Sequence, residues 1–279
     1  MNRFLPKKTG SGFSDIKTHC LNNELIGKET IKSAQETGMG TDEFVHVIKS
    51  KLKNYEKNVV VKIHDSNSIY IAKELFAIEE LSTFKNAVKS ICNFSCIDNK
   101  SRWESNIRKD TKFCNNERDK LHFFIYEYIE NGDVEEYFNS NPSVMEIKNI
   151  FLQCSLVIMI LVKKYNIIHG DLNSGNILFS KTSQKTISYT LGDKKYIINT
   201  NGRIPMLIDF GRCKKIKGNI NENAMDDVFI LLDTLSIWIK NTELKEKVRK
   251  FLLNESIKKE NNMNLFITAI HSFFTTMHI

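Results

Sequence analysis

Near residue 130 the hydrophobic period of this chain changes, and with it the kind of structure the chain can form. Upstream, "FVHVIKSKL" (44–52) alternates apolar and polar residues, and "NVVVKIH" (58–64) is a β-branched run suited to a buried strand. "SICNFSCI" (90–97) and "LHFFIYEYI" (121–129) read the same way. Downstream of the turn "ENGD" (130–133), apolar residues recur at helical spacing over 134–140 and, strongly, over 144–164. A β-rich part therefore precedes a mostly helical part, and no internal repeat is visible.

The β-rich part contains one helical stretch, 70–89, in which Ile71, Leu75, Ile78 and Leu81 share a face. Residues 1–30 are polar with scattered apolar positions and read as an irregular arm or a short helix. "ETGMGTDEF" (36–44) is a glycine-punctuated turn, and 98–120 reads as a loop. In the helical part, short β pieces are expected at 176–180, 186–199 and 205–209. A very apolar helix is expected over 225–240, and amphipathic segments over 242–254 and 263–276.

Length and composition bound the function. With 279 residues and 41% hydrophobic content, the chain is long enough for one large domain or two lobes. The N-terminus lacks the apolar core of a signal peptide. The longest apolar run, "CSLVIMILV" (154–162), is half the length of a membrane span and reads as buried helix, so no membrane span is expected. The six cysteines show no CxxC and no zinc spacing with the histidines, which favours reduced thiols and a cytoplasmic location. The net charge of +7 is spread along the chain. It reads as solvated lysines with a mild pull on polyanions, with no specific nucleic-acid partner.

Two motifs carry chemistry: "YNIIHGDLNSGNILF" (165–179) and "PMLIDFGRC" (205–213). Moving a phosphoryl group needs a cation for its oxygens, hard oxygen ligands for magnesium, and a carboxylate facing the acceptor hydroxyl. Asp171 suits the last role. Asn176 and Asp209 suit the metal, and Gly211 would let the backbone turn sharply after Asp209. His169 reads as a packing residue of the loop rather than a base.

"HGDLNSGN" followed by "IDFG" resembles the catalytic and magnesium loops of the eukaryotic-like protein kinase superfamily. The resemblance runs over about residues 33–240. "GMGTDEFV" resembles the glycine-rich loop, with Gly38, Gly40 and Val45 in place and Glu43 at the third glycine. "VVVK" resembles the strand ending in the phosphate-binding lysine, here Lys62 after Val60. Glu74 suits the partner of that lysine, with Glu79 and Glu80 as rivals. "IYEYIENGD" resembles the hinge. Tyr126 is then the gatekeeper, the backbone of Glu127 and Ile129 meets adenine, and Leu178 floors the adenine pocket. Asp227 resembles the buried aspartate that ties down the catalytic loop. The implied fold is α+β and bilobal: a small antiparallel β-sheet N-lobe with one helix (33–130, after an arm at 1–32), then a mainly helical, reduced C-lobe (131–279). The implied cofactors are ATP and Mg2+, and the implied activity is that of a serine/threonine protein kinase acting on a protein substrate.

The departures bear on substrate and control. Gly170 replaces the arginine that normally binds an activation-segment phosphate. The segment "DFGRCKKIKGNINENAMD" (209–226) contains no Ser, Thr or Tyr, so control by an activating protein partner is an open expectation. No A-P-E exists, because the only prolines are Pro6, Pro142 and Pro205. Asn173 stands where serine/threonine kinases place a lysine. "TISYTLGDKKYIINTNGRIPM" (186–206), a hairpin leading into "LIDFGR", looks like the serine/threonine kinases of large cytoplasmic DNA viruses, which would place the chain in host cytoplasm or virion. A kinase-fold enzyme acting on a small molecule, or a non-catalytic kinase-like binding module, stays open.

Overall fold

The computed structural model describes residues 20, 24–30, 45–104, 111–115, 118–130, 132–216, 220–254 and 262–276. These form two compact units. One comprises the described residues up to Ser82 together with Val88–Tyr128; the other comprises Thr83–Ala87 and the described residues from Ile129 on.

The first unit is a six-stranded sheet with one main helix. Its strands are β1 (Glu24–Thr30), β2 (Val45–Leu52), β3 (Asn58–Asp65), β4 (Ser90–Asp98), β5 (Thr111–Lys112) and β6 (Asp119–Glu127). They lie in the order β4-β6-β3-β2-β1-β5, and every pairing is antiparallel. Period-2 alternation sorts the side chains. Val59, Val61 and Ile63 join Leu121, Phe123, Ile125 and Phe94 in one core, while Lys62 and His64 take the other face. The helix α1 (Ile69–Glu80) starts at Ser68, whose hydroxyl accepts the N–H of Tyr70.

Three expectations are corrected here. Glu24–Thr30 is a strand, not irregular arm. Gly27 sits at φ +60°, where the register with β2 slips between Ile26 and Glu29, so a bulge interrupts the alternation that would have revealed it. The helix ends at Glu80, not 89. Residues 98–120 are not simply loop: a helix α2 (Lys100–Glu104) and β5 lie within them. This stretch delivers Trp103 and Phe113, both buried, which pack on Phe123 at ring distances of 5.3 and 5.2 Å. Asp98, fully buried, anchors it by accepting from Arg102 Nη2 and the N–H of Cys114, both at 2.8 Å.

The cysteines also depart from the expectation of reduced thiols. Cys20 is bonded to Cys92 and Cys96 to Cys114, leaving Cys154 and Cys213 as buried thiols. The pairs are 72 and 18 residues apart in sequence, so only the folded sheet reveals them.

The second unit is built on α4 (Val144–Tyr165), which follows the short α3 (Val134–Asn139). A capping box starts α4: Ser143 Oγ accepts the N–H of Glu146, and the Glu146 carboxylate accepts the N–H of Ser143. Asn166, left-handed at φ 57°, ends it. With 22 residues it is long and apolar enough to cross a bilayer, more than the 154–162 run suggested. Its most apolar window is 78% buried, however, which makes it the core helix of this unit. The strands β7 (Ile167–Ile168), β8 (Ile177–Lys181), β9 (Thr186–Leu191), β10 (Lys194–Asn199), β11 (Arg203–Leu207) and β12 (Lys214–Lys215) form three antiparallel pairs, β7–β12, β8–β11 and β9–β10. Helices α5 (Ile220–Ser236), α6 (Thr242–Leu252) and α7 (Met263–Thr275) complete it. α4 packs against α5, α7, β9 and β11. The segment after α1 belongs here too: Asn86 accepts the N–H of Leu207 and its Nδ2 donates to the Pro205 carbonyl, both across the edge of β11.

These pairings give a direct expectation. Peptide mapping without reductant should recover Cys20–Cys92 and Cys96–Cys114 as linked peptides, with Cys154 and Cys213 alkylated only after unfolding. Rapid alkylation of Cys92 or Cys96 in the native protein would contradict them.

Candidate active site

In the first unit, β3 and α1 meet at a buried ion pair. Lys62 Nζ donates to Glu74 Oε2 at 3.2 Å, with both side chains almost fully buried. Two buried charges are tolerable only when paired and hydrogen-bonded, and a second donor meets the glutamate here: Tyr126 OH, on β6, donates to Glu74 Oε1 at 2.6 Å. Both carboxylate oxygens are thereby fixed, and with them the lysine. Glu79 and Glu80 are exposed at the end of α1 and do not compete. Tyr126, singled out only as a gatekeeper, is thus also part of the charged network. Val60 lies two residues before Lys62 on the same side of β3. The N–H of Glu127 donates to the Lys89 carbonyl, which ties down the strand end.

In the second unit, the "HGD" loop is held from below. Asp227, buried on α5, accepts the N–H of His169 at 2.9 Å through Oδ2 and also that of Gly170. His169 is fully buried, and its Nε2 lies 2.8 Å from the Ile208 carbonyl. A carbonyl only accepts, so Nε2 carries the proton and His169 is a strut. The N–H of Ile208 donates to the Asn176 carbonyl at 3.1 Å, extending the β8–β11 ladder by one step. Asn176 Nδ2 then donates to the backbone carbonyl of Asp171 at 2.7 Å and to its Oδ2 at 3.2 Å. The chain Asp227–His169–Ile208–Asn176–Asp171 therefore links both sequence motifs. Asn173 closes the same loop by accepting the N–H of Gly175 at 2.8 Å.

Asp209 follows Ile208 and adopts a left-handed backbone, φ 59° and ψ 71°. A non-glycine residue there costs about 1–3 kcal/mol and persists where surrounding structure enforces it. The sharp turn expected at Gly211 is thus made by Asp209 itself. Gly211 instead donates its N–H to Asp209 Oδ1 at 3.3 Å, inside a short 3₁₀ turn, Phe210–Arg212. Asn176 commits its amide hydrogens to Asp171, which orients its Oδ1 away as a hard acceptor. Together with the Asp209 carboxylate, that donor set suits magnesium, which takes one or two protein oxygens and completes its shell from phosphate and water.

Leu178 on β8, Ile129 and Gly132 meet in the second unit. A Cβ at Gly132 would lie 2.8 Å from Ile129 Cγ2 and 3.2 Å from Leu178 Cβ, so only glycine fits between them. The Gly132 carbonyl accepts the N–H of Phe179 at 2.7 Å. Gly132 was legible only as a turn glycine. Gly38, Gly40 and Glu43 lie outside the described residues, as does the side chain of Val45.

With this geometry in view, the comparisons with known proteins define a class. A model of the protein tyrosine and serine/threonine kinase family matches residues 33–206, well over half of the chain, and the chain belongs to that family. Among individual proteins, it is 33% identical over 89 residues to serine/threonine-protein kinase haspin of Bos taurus. That match covers 32% of this chain and 11% of haspin. It is 38% identical over 63 residues to uncharacterized protein ZK177.2 of Caenorhabditis elegans, covering 23% of this chain and 21% of that protein. The matches thus span only a small part of either relative.

Burial raises the Asp227 carboxyl from its ordinary 3.8 to about 6, against the opposing pull of the His169 and Gly170 N–H groups. A carboxyl raised on folding binds more protons folded than unfolded between these values, so its contribution to stability falls as pH rises from about 4 to about 6. Asp227→Asn removes this titration. Urea melts should show the stability difference moving in the variant's favour across that window, by on the order of 2 kcal/mol. A difference independent of pH would contradict the assignment.

Proposed function

We propose that the chain is an ATP- and magnesium-dependent serine/threonine protein kinase with Asp171 as the catalytic carboxylate. The observation that carries this reading is the hydrogen-bonded chain from Asp227 to Asp171, because it sets a carboxylate, an amide oxygen and a second carboxylate on two backbones locked together. The roles follow from the chemistry of each group. Asp171 orients the acceptor hydroxyl and takes its proton as the oxygen bonds to the γ-phosphorus, whose bond to the β,γ-bridging oxygen breaks to release ADP. Asn176 and Asp209 hold Mg2+, which when bound neutralises the phosphate oxygens. Lys62, steadied by Glu74, supplies a positive charge for the phosphates. By the resemblance of the sequence motifs, Gly38, Gly40 and Val45 are assigned to the phosphates, and Val60, Leu178 and the backbone of Glu127 and Ile129 to adenine. Haspin is named a serine/threonine-protein kinase, which supports that acceptor class.

Several finer readings belong to the same proposal. The lobe boundary is taken between 130 and 131, with the strand Glu24–Thr30 of the expected arm at 1–32 joining the sheet of the first lobe. The likeness to kinases of large DNA viruses rests on the β9–β10 hairpin before "LIDFGR"; the cytoplasmic location that goes with it loses the support of reduced thiols, since four of the cysteines are paired. Without a hydroxyl residue between Asp209 and Asp226, the segment is held by its own packing or by a partner protein rather than by phosphorylation.

Asp171→Asn should lower turnover by about 10²–10⁴ while ATP affinity is nearly retained. Asp209→Ala should abolish the magnesium dependence of nucleotide binding, read by titration calorimetry with and without the metal. ATP consumption should be followed with protein mixtures and with small alcohols offered separately. Transfer to the alcohols alone would replace this reading with a small-molecule kinase. Undiminished turnover in Asp171→Asn would remove Asp171 from the mechanism.

A further inference from the structure

We propose that Arg212 and Lys214 form an acceptor-binding surface that selects a peptide hydroxyl flanked by acidic side chains. The inference rests on the phosphotransferase reading of the same site and narrows its substrate.

The argument begins at Gly170. Its φ is +76°, and a Cβ there would lie 2.8 Å from the carbonyl oxygen of Arg212. The backbone of Arg212 is therefore seated directly against the loop that carries Asp171. The residues after it are anchored as well: Lys214 and Lys215 pair with Ile168 and Ile167, and the N–H of Ile216 donates to the Asn166 carbonyl at 3.0 Å. A run of cations is thus hydrogen-bonded, through its backbone, to the strand that enters the catalytic loop.

The side chains of Lys214 and Lys215 are exposed, while that of Arg212 reaches toward Asp171. Arg212 is half exposed, and its Nη1 lies 3.9 Å from Asp171 Oδ1. An ion pair this long and this wet is worth about 0–1 kcal/mol, too little to hold the guanidinium against a better partner. A substrate carboxylate that accepts both guanidinium N–H edges is such a partner. Lys214 is exposed on β12, close enough for its charge to act on Asp227. Among the described residues, the acidic groups nearby are Asp171, Asp209, Asp226 and Asp227. Asp227 is turned inward to the His169 and Gly170 N–H groups, and Asp171 is reserved for the hydroxyl proton. Asp226 is exposed on α5. Nor does the segment itself offer a phosphate, since residues 209–226 contain no Ser, Thr or Tyr. An acceptor carboxylate supplies the anion that binds Arg212 and Lys214.

The test uses serine peptides identical except for flanking Glu, Gln or Lys, offered to the full chain with Mg-ATP. Their serine-to-alanine versions are measured for binding by fluorescence anisotropy. The Glu-flanked peptide should show a KM, and its alanine version a Kd, at least about tenfold lower than the Gln-flanked one, with kcat little changed. Arg212→Glu and Lys214→Glu should each erase or invert that order. Lys250→Glu, the same charge change at an exposed position on α6, should leave it intact. Equal KM across the three peptides overturns the inference while leaving the kinase reading standing. An equal loss in Lys250→Glu overturns it too, because net charge would then explain the preference. If no peptide is phosphorylated, the acceptor surface is overturned whatever the alanine peptides bind, and ATP consumption with the other acceptors decides the kinase reading. Charge-blind binding of the alanine peptides overturns the surface alone.

Discussion

One buried carboxylate carries more of the second unit than its size suggests. Asp227 accepts the N–H groups of His169 and Gly170, and every later link in the site inherits its position from that contact. His169, fixed at its backbone, grips Ile208. Ile208 is in register with Asn176, and Asn176 sets both the main chain and the carboxylate of Asp171. Burying Asp227 is unfavourable, as its raised pKa shows, and the cost is local. In return two loops far apart in sequence become one rigid object. The first unit solves the same problem on a smaller scale, where Tyr126 and Lys62 occupy the two oxygens of Glu74.

The residues legible in the sequence were those whose chemistry repeats a short local pattern. "HGDLNSGN" and "IDFG" point to Asp171, Asn176 and Asp209 through their likeness to kinase loops. "VVVK" points to Lys62 in the same way, and Glu74 was preferred on the next helix over Glu79 and Glu80. The strands of the first unit were legible where alternation was clean and illegible where Gly27 introduced a bulge. Helix α1 was overextended because Phe84 and Ala87 continue its apolar spacing, yet they serve the second unit, Phe84 against Tyr165 and Ala87 beside Leu207.

What stayed hidden depends on contacts between distant residues. Neither disulfide has a sequence signature. Trp103 and Phe113 sit in a polar stretch and reveal themselves as core only once they stack on each other and against Phe123. The left-handed turn at Asp209 was attributed to the neighbouring glycine, the natural candidate for such a backbone, because the forces that hold an aspartate there come from the strand pairing behind it. The role of Gly132 likewise appears only when Ile129 and Leu178 close on it from either side.

Gly170 also constrains the history open to this chain. A side chain at that position faces both an unfavourable backbone and the Arg212 carbonyl, so a single codon change to arginine would disrupt the loop before any benefit of a phosphate-sensing guanidinium appeared. A side chain there requires the turn after Asp209 to be rebuilt at the same time, so positions 170 and 212 can change only together.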